Sequence, residues 1–149
     1  MIFARDGDII PLSFQKTTEK PVGQQVISAK TAAEMRVMLE TVVGPGGTAP
    51  LAQVAGYRVG GKTGTAQKLV NGRYSQTKYI GNFVGIAPMS NPRFIIAVMV
   101  DEPSGALHTG GSVAAPTFAA LAANALRAAN VPPDSTVTEI IIPEHPLEE

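Results

Sequence analysis

An asparagine–glycine pair, Asn71-Gly72, is the feature that most constrains the fold of this chain. Both residues accept the positive φ angles of a type I′ turn, which joins two neighbouring antiparallel strands. β-Branched and aromatic residues are frequent on both sides of the pair, from Tyr57 to Asp101. A strand from about Tyr57 to Val70 is therefore predicted to turn back on itself near Arg73.

A second strand pair follows the first. The segments Tyr79 to Ala87 and Arg93 to Asp101 flank Pro88-Met89-Ser90-Asn91-Pro92, a five-residue stretch whose prolines and asparagine favour a turn. Both alternating rows of the last strand are apolar, so we expect that strand to be central in its sheet and covered on both faces.

Two helices are predicted beside these strands. Ser28 to Val43 has an apolar stripe at helical spacing and either Ser28 or Thr31 as N-cap, and Val113 to Ala129 has a second stripe. The fold class is therefore α+β, with an antiparallel sheet flanked by helices. The predicted stripes are Met35, Met38, Leu39 and Val42 in the first helix and Phe118, Leu121, Ala122 and Ala125 in the second.

Composition narrows the possible chemistry. The chain has no cysteine and only two histidines, so thiolate chemistry is excluded, and we expect no metal site and no cofactor. The longest apolar runs, such as Phe94 to Val100, are far shorter than the ~20 residues of a membrane-spanning helix. We expect no nucleic-acid partner.

The charges are unevenly distributed along the chain. Thr41 to Val100 contains no aspartate or glutamate but six basic residues, which favours an anionic ligand. Most of these bases are expected to be solvated surface charges. Lys62, which lies among glycines and threonines, is the expected exception.

The segment Gly56 to Thr63, GYRVGGKT, matches the phosphate-binding pattern G-x-x-x-x-G-K-[ST], and nucleotide binding is therefore one alternative. A phosphate loop must open a helix, whereas Thr63 is followed by glycine and then by the hairpin. On a strand, Lys62 and Gly64 would face one side, while Thr63 and Thr65 would face the other. Such an edge strand could bind an extended peptide, or its glycines could simply relieve crowding.

Lys62-Thr63-Gly64 is also the K-T-G triad of the penicillin-recognising serine transpeptidases and β-lactamases. The order and spacing of the segments around the triad resemble the C-terminal part of the transpeptidase domain of division-type, class B penicillin-binding proteins. The resemblance covers about Asp6 to Pro133. The segments are VVGPGGTAP, GYRVGGKTGTAQK, FVGIAPMSNPRF, VMVDEPSG and GGSVAAPTF.

The resemblance implies an activity and a set of site residues. The family is a serine D,D-transpeptidase that transfers acyl groups between peptidoglycan stem peptides ending in D-Ala-D-Ala and that binds β-lactam antibiotics. Lys62 would set the electrostatics and proton transfers of the site, and the strand through Gly64 would border it. The hydroxyls of Thr63 and Thr65 would bind a carboxylate, and the Thr65 N–H would form half of the oxyanion hole. Gly110-Gly111 would lie beside the site.

The nucleophile of the family belongs to an S-x-x-K motif, accompanied by S-x-N, in the part of the domain that precedes these segments. Ser13-Phe14-Gln15-Lys16 spells S-x-x-K but lies in a strand-like stretch that runs into Pro21, and we interpret it as coincidence. We therefore expect residues 1–130 to be the C-terminal portion of a transpeptidase domain, followed by a Pro- and acid-rich tail at 131–149. Alone, the chain is expected to be inactive.

The resemblance also implies partners and a location. The partners would be the N-terminal part of the domain and division proteins. The parent protein would lie at the periplasmic face of the bacterial inner membrane, with its anchor outside this chain. The alternative function is a non-catalytic remnant that binds peptides or a protein partner.

Overall fold

The described part of the chain forms two antiparallel sheets and three α-helices. The computed structural model describes residues 1–16, 18–19 and 21–140. The elements are β1 (Asp8–Ile9), β2 (Gln24–Gln25), α1 (Ala29–Thr41), β3 (Gly60–Val70), β4 (Arg73–Ala87), β5 (Phe94–Asp101), α2 (Gly110–Val113) and α3 (Ala115–Ala128). Strand β1 pairs with β2, and the larger sheet has the order β3-β4-β5. The predicted α+β fold, an antiparallel sheet flanked by helices, is confirmed. Within this described part, no helix is both long and apolar enough to cross a membrane.

The Asn71-Gly72 hairpin forms as predicted. Asn71 has a φ of 51° and Gly72 a φ of 78°, the left-handed conformations that a type I′ turn requires. The turn joins Val70 of β3 to Arg73 of β4, which are paired in register. The hairpin therefore makes β3 a direct antiparallel neighbour of β4.

Helix α3 covers one face of the larger sheet. The buried rings of Phe83 on β4 and Phe118 on α3 meet edge to face, with their centroids 4.9 Å apart. Gly85 makes room for this contact, because a Cβ there would lie 2.4 Å from the Phe118 ring. The predicted stripe of α3 is partly wrong: Leu121 is exposed and Leu126 is fully buried. The buried row of α3 consists of Phe118, Ala122 and Leu126, which are spaced four residues apart, and Leu121 lies outside this row.

Strand β5 is an edge strand in the described part of the chain, so the prediction of a central, doubly covered strand is wrong. Its one described partner is β4. One row of side chains packs against the core beneath α3, whereas the other row is exposed, because the helix on that face, α1, packs against β3. The packed row is Phe94, Ile96, Val98 and Val100, and the exposed row is Ile95, Ala97 and Met99.

Helix α1 lies on the opposite face of the sheet from α3, at the Gly60 end of β3. A Cβ at Gly60 would lie 2.8 Å from the carbonyl carbon of Leu39, so the last turns of α1 touch the strand directly. Ser28 is the N-cap, and its Oγ accepts a hydrogen bond from the Thr31 N–H at 3.0 Å. The predicted stripe is wrong at Met38, which is 60% exposed. Met38 lies in the last turn, next to Leu39, which touches β3, but no described residue covers its side chain there.

Residues 131–137 fold back onto residues 56–58, which precede β3. The carboxylate of Asp134 accepts hydrogen bonds from the backbone N–H of Arg58 at 2.8 Å and from that of Ser90 at 3.2 Å. This carboxylate therefore links three separate segments of the chain. The division into a domain and a tail at 131–149 stays a prediction, and the last nine residues lie outside the described part.

An ion-pair cluster joins the three strands at the end of the sheet that lies away from α1. Lys68 Nζ on β3 lies 2.7 Å from Asp101 and 2.8 Å from Glu102, and Lys78 Nζ on β4 lies 2.9 Å from Glu102. Hydrogen bonds from Lys68, and then from Lys78, lower the pKa of the Glu102 carboxyl. Replacing Glu102 therefore changes how stability depends on pH.

We expect Glu102→Gln to unfold at lower urea concentration than the unaltered chain at pH 7, with a small difference because the pairs are solvent-screened. Since the pKa of Glu102 is lower in the folded state, its contribution is present above the unfolded pKa and is lost as the pH falls through the folded value. The two urea midpoints should therefore converge on acidification to about pH 2. A difference that is the same at every pH would contradict this prediction.

Candidate functional site

The K-T-G residues lie in the first half of β3, and their side chains alternate between the two faces of the sheet. The register places Lys62 beside Val84 and Ala97 on the face that α3 does not cover. Thr63 lies beside Phe83 on the α3 face. Because Lys62 and Thr63 lie within a strand and not at the start of a helix, the phosphate-loop interpretation is wrong.

Lys62 is the basic residue expected to bind an anionic ligand, and its ammonium is placed differently from the guanidinium of Arg58. Its exposed Nζ donates to the carbonyl oxygen of Thr63 at 3.0 Å and to the Thr63 hydroxyl at 3.4 Å. In contrast, Arg58 makes a two-pronged ion pair with Glu40, with both N–O distances at 2.8 Å. Among the residues that the structure describes, no carboxylate lies within ion-pair distance of Lys62. Its charge is available to an anionic ligand.

Thr65 and Gly110 connect β3 to the short helix α2. The Thr65 Oγ1 accepts a hydrogen bond from the Gly110 N–H at 3.2 Å, so the hydroxyl proton can be donated to another group. A Cβ at Gly110 would lie 2.0 Å from the Asn82 carbonyl oxygen and 2.6 Å from that of Gly64. Only glycine allows α2 to approach the β3–β4 ladder this closely.

Gly111 makes an equally close contact on the other side of α2. A Cβ at this position would lie 1.9 Å from the carbonyl oxygen of Thr48. The Gly110-Gly111 pair is therefore held between the sheet and the loop that follows α1. The structure brings Gly110 against Gly64 and Thr65, whereas Gly111 lies against Thr48, which in turn contacts Thr63.

Thr48 is a site residue that sequence analysis missed. Its Oγ1 lies 3.0 Å from the Thr63 Oγ1, although the two residues are 15 positions apart. The sequence contains one signal for it. Thr48 carries the first hydroxyl after Gly44-Pro45-Gly46-Gly47, a turn that sends the chain back past the end of α1.

A cavity of about 360 Å³ opens beside Lys62. The Thr48 hydroxyl and the Lys62 ammonium line it, and the Thr63 hydroxyl lies 3.0 Å from that of Thr48. No carboxylate pairs with the Lys62 ammonium in the described part. The chemistry suits an anionic oxygen ligand. The cavity is lined by Thr41, Val42, Pro45, Gly46, Gly47, Thr48 and Lys62.

Ser13 and Lys16 do not form a nucleophile and base in the described structure. Both lie outside helices and strands. The Ser13 hydroxyl donates to the Gln15 carbonyl and accepts from the Gln15 N–H, each at 3.0 Å, within one exposed turn. An S-x-x-K lysine would need to lie one helical turn from its serine. The motif match is therefore coincidental in this geometry.

Comparisons with known proteins show the family of this chain. The family described as penicillin binding protein transpeptidase domain matches residues 1–123. The chain is 44% identical over 132 residues to "Probable peptidoglycan D,D-transpeptidase PenA" of Neisseria flavescens, covering 89% of this chain and 33% of that protein. It is 39% identical over 129 residues to "Peptidoglycan D,D-transpeptidase FtsI" of Escherichia coli K12, covering 86% of this chain and 22% of that protein.

A solved structure shows the same likeness in three dimensions. The transpeptidase domain of Burkholderia pseudomallei penicillin-binding protein 3 superposes with a TM-score of 0.82 at 51% identity, covering 90% of this chain and 41% of that one. The chain thus spans a third or less of these two curated relatives and less than half of the solved domain. By its sequence and its fold, this chain belongs to the penicillin-binding protein transpeptidase domain family.

Proposed function

We propose that the chain forms the carboxylate-binding side of the active site of a peptidoglycan D,D-transpeptidase. The observation that carries the proposal is Lys62, an exposed ammonium with no described ion-pair partner, beside the hydroxyls of Thr63 and Thr65 on one strand. The substrates are stem peptides ending in D-Ala-D-Ala, and β-lactams bind in their place. Both ligand types end in a carboxylate that these donors can hold.

The proposed roles follow from the donors that each residue offers. Lys62 supplies positive charge and takes part in proton transfer. Thr63 and Thr65 donate their hydroxyl protons to the ligand carboxylate, and the Thr65 N–H donates to the developing oxyanion. Gly64 has no side chain that would block the ligand backbone. Gly110 holds Thr65 through a hydrogen bond, and Gly111 packs against the Thr48 carbonyl.

The nucleophilic serine is proposed to come from an N-terminal portion of the domain that precedes residues 1–130. The open sheet face beside Lys62 supports this proposal, since Val84, Ile95 and Met99 are 43%, 44% and 70% exposed there. An exposed apolar patch of this kind usually marks a contact surface. We further propose that the parent protein acts in septal cell-wall synthesis on the extracytoplasmic side of the inner membrane, with division proteins as partners and 131–149 as its tail.

We expect the 149-residue chain alone to form no covalent adduct with penicillin, because Ser13, the serine of the S-x-x-K match described above, lies in an exposed turn and not on a helix beside its lysine. Intact-mass spectrometry after incubation with excess penicillin measures this. A stoichiometric adduct, above all on Ser13, would contradict the proposal that another segment supplies the serine.

The complementary test joins the full chain to the remainder of the B. pseudomallei transpeptidase domain, the part that this chain does not match; we name this fusion the completed domain. Acylation of the completed domain by penicillin is expected. A folded completed domain that remains unlabelled would instead favour the alternative function, a non-catalytic remnant that binds peptides or a protein partner.

A further inference from the structure

The hydroxyl pair Thr48–Thr63 has a function that the K-T-G motif does not contain. We propose that Thr48 is a positioning residue that directs the Thr63 hydroxyl proton toward the ligand carboxylate; this inference rests on the proposed function and refines its carboxylate site. The two Oγ1 atoms lie 3.0 Å apart, close enough for one hydrogen bond.

Either hydroxyl of the pair can donate this bond, and the proposal assigns the proton to Thr48. A threonine hydroxyl has one proton to donate and two lone pairs that accept. Lys62 Nζ, which can only donate, occupies one acceptor position of Thr63 at 3.4 Å. When Thr48 donates to the second lone pair, the Thr63 proton points away from both neighbours and toward the open site. Thr63 is then a donor to the ligand, as a carboxylate requires.

The loop that carries Thr48 is held rigidly on two sides. On the α1 side, the Ala49 N–H donates to the Val42 carbonyl at 2.9 Å, and a Cβ at Gly47 would lie 2.3 Å from that same oxygen. On the other side, Gly111 packs directly against the Thr48 carbonyl. Because the loop is already held in place, the Thr48 hydroxyl loses little entropy when a ligand binds. This supports a role in orienting the Thr63 hydroxyl.

The expected effect is specific to ligands with a free carboxylate. In the completed domain, Thr48→Val should lower the second-order rate constant of acylation by penicillin about tenfold, the size expected for losing one hydrogen bond to a charged group. Thr48→Ser keeps the hydroxyl and should stay within about twofold of the unaltered domain. For the methyl ester of penicillin, whose carboxylate is masked, Thr48→Val should change the rate less than twofold.

A double-mutant cycle with Thr63→Val gives a second readout. If Thr48 acts through Thr63, Thr48→Val adds no further loss once the Thr63 hydroxyl is removed. Thr117→Val, on the exposed surface of α3, is the control for a threonine-to-valine change and should leave acylation unaltered.

Three results would overturn the positioning function. They are equal losses with penicillin and its ester, which indicate a structural effect; no loss in Thr48→Val; and additive losses in the double variant. Failure of the proposed function itself is distinct, because the unaltered completed domain would then not be acylated by penicillin at all.

Discussion

Lys62→Ala in the completed domain is expected to slow acylation by penicillin about 100- to 1000-fold, the usual cost of removing one preorganised electrostatic group from an active site. The physical reason is that Lys62 is the cation nearest the Thr63 hydroxyl and has no described carboxylate to neutralise it. Its removal leaves the ligand carboxylate without a counter-charge. The measurement is the rate of covalent labelling by a fluorescent penicillin.

Lys78→Ala is the matched control for this variant. Lys78 is also a lysine of the larger sheet, but its ammonium is paired with Glu102 in the ion-pair cluster. We expect it to label at close to the unaltered rate. Normal labelling of Lys62→Ala would remove Lys62 from the mechanism, and an equal loss in both variants would indicate a general effect of surface charge.

Gly111→Ala is expected to lower the free energy of unfolding of the completed domain by at least about 1–3 kcal/mol, the usual cost of overpacking. The added Cβ would lie 1.9 Å from the Thr48 carbonyl oxygen, and that neighbour is backbone that cannot rotate away. Either the Thr48 loop must then shift, which separates Thr48 from Thr63, or α2 must shift, which separates Gly110 from Thr65. Because a displacement of about 1 Å can cost about 100-fold in rate, acylation should also fall.

Gly105→Ala separates this steric conflict from the general effect of replacing glycine. The nearest atom to a Cβ at Gly105 is the Leu107 nitrogen, 4.0 Å away, so the new methyl group meets nothing. Urea unfolding and penicillin labelling should both stay close to those of the unaltered domain. If Gly111→Ala behaved like Gly105→Ala, the close packing of α2 against the Thr48 loop would not be needed for the site.

Much of the local structure could be predicted because it depends on neighbouring residues. The Asn71-Gly72 turn requires positive φ angles that few other residue pairs accept, and both angles are positive in the structure. The alternation of Lys62 and Thr63 follows from the period of a strand. Ser28 was one of two predicted N-caps, and its side chain makes the capping hydrogen bond.

The wrong predictions concern burial. The apolar rows of β5 predicted a strand covered on both faces, and the stripe of α1 predicted a buried Met38. An apolar pattern shows which side chains favour burial. It does not show which other part of the chain covers them, because that partner is distant in the sequence. In the described part, one face of β5 is exposed, and Met38 is exposed although the adjacent Leu39 lies against Gly60 of β3.

By itself, the sequence determined the hairpin, the helices and the strand that presents Lys62, Thr63 and Thr65, because turn chemistry and side-chain periodicity act between residues close in the chain. Only the tertiary structure decided which hydroxyls and glycines surround that strand. Thr48 meets Thr63 across 15 positions, and Gly110 meets Thr65 across 45. Such contacts depend on how α2 and the loop after α1 pack against the sheet, and no periodicity in the sequence encodes that path.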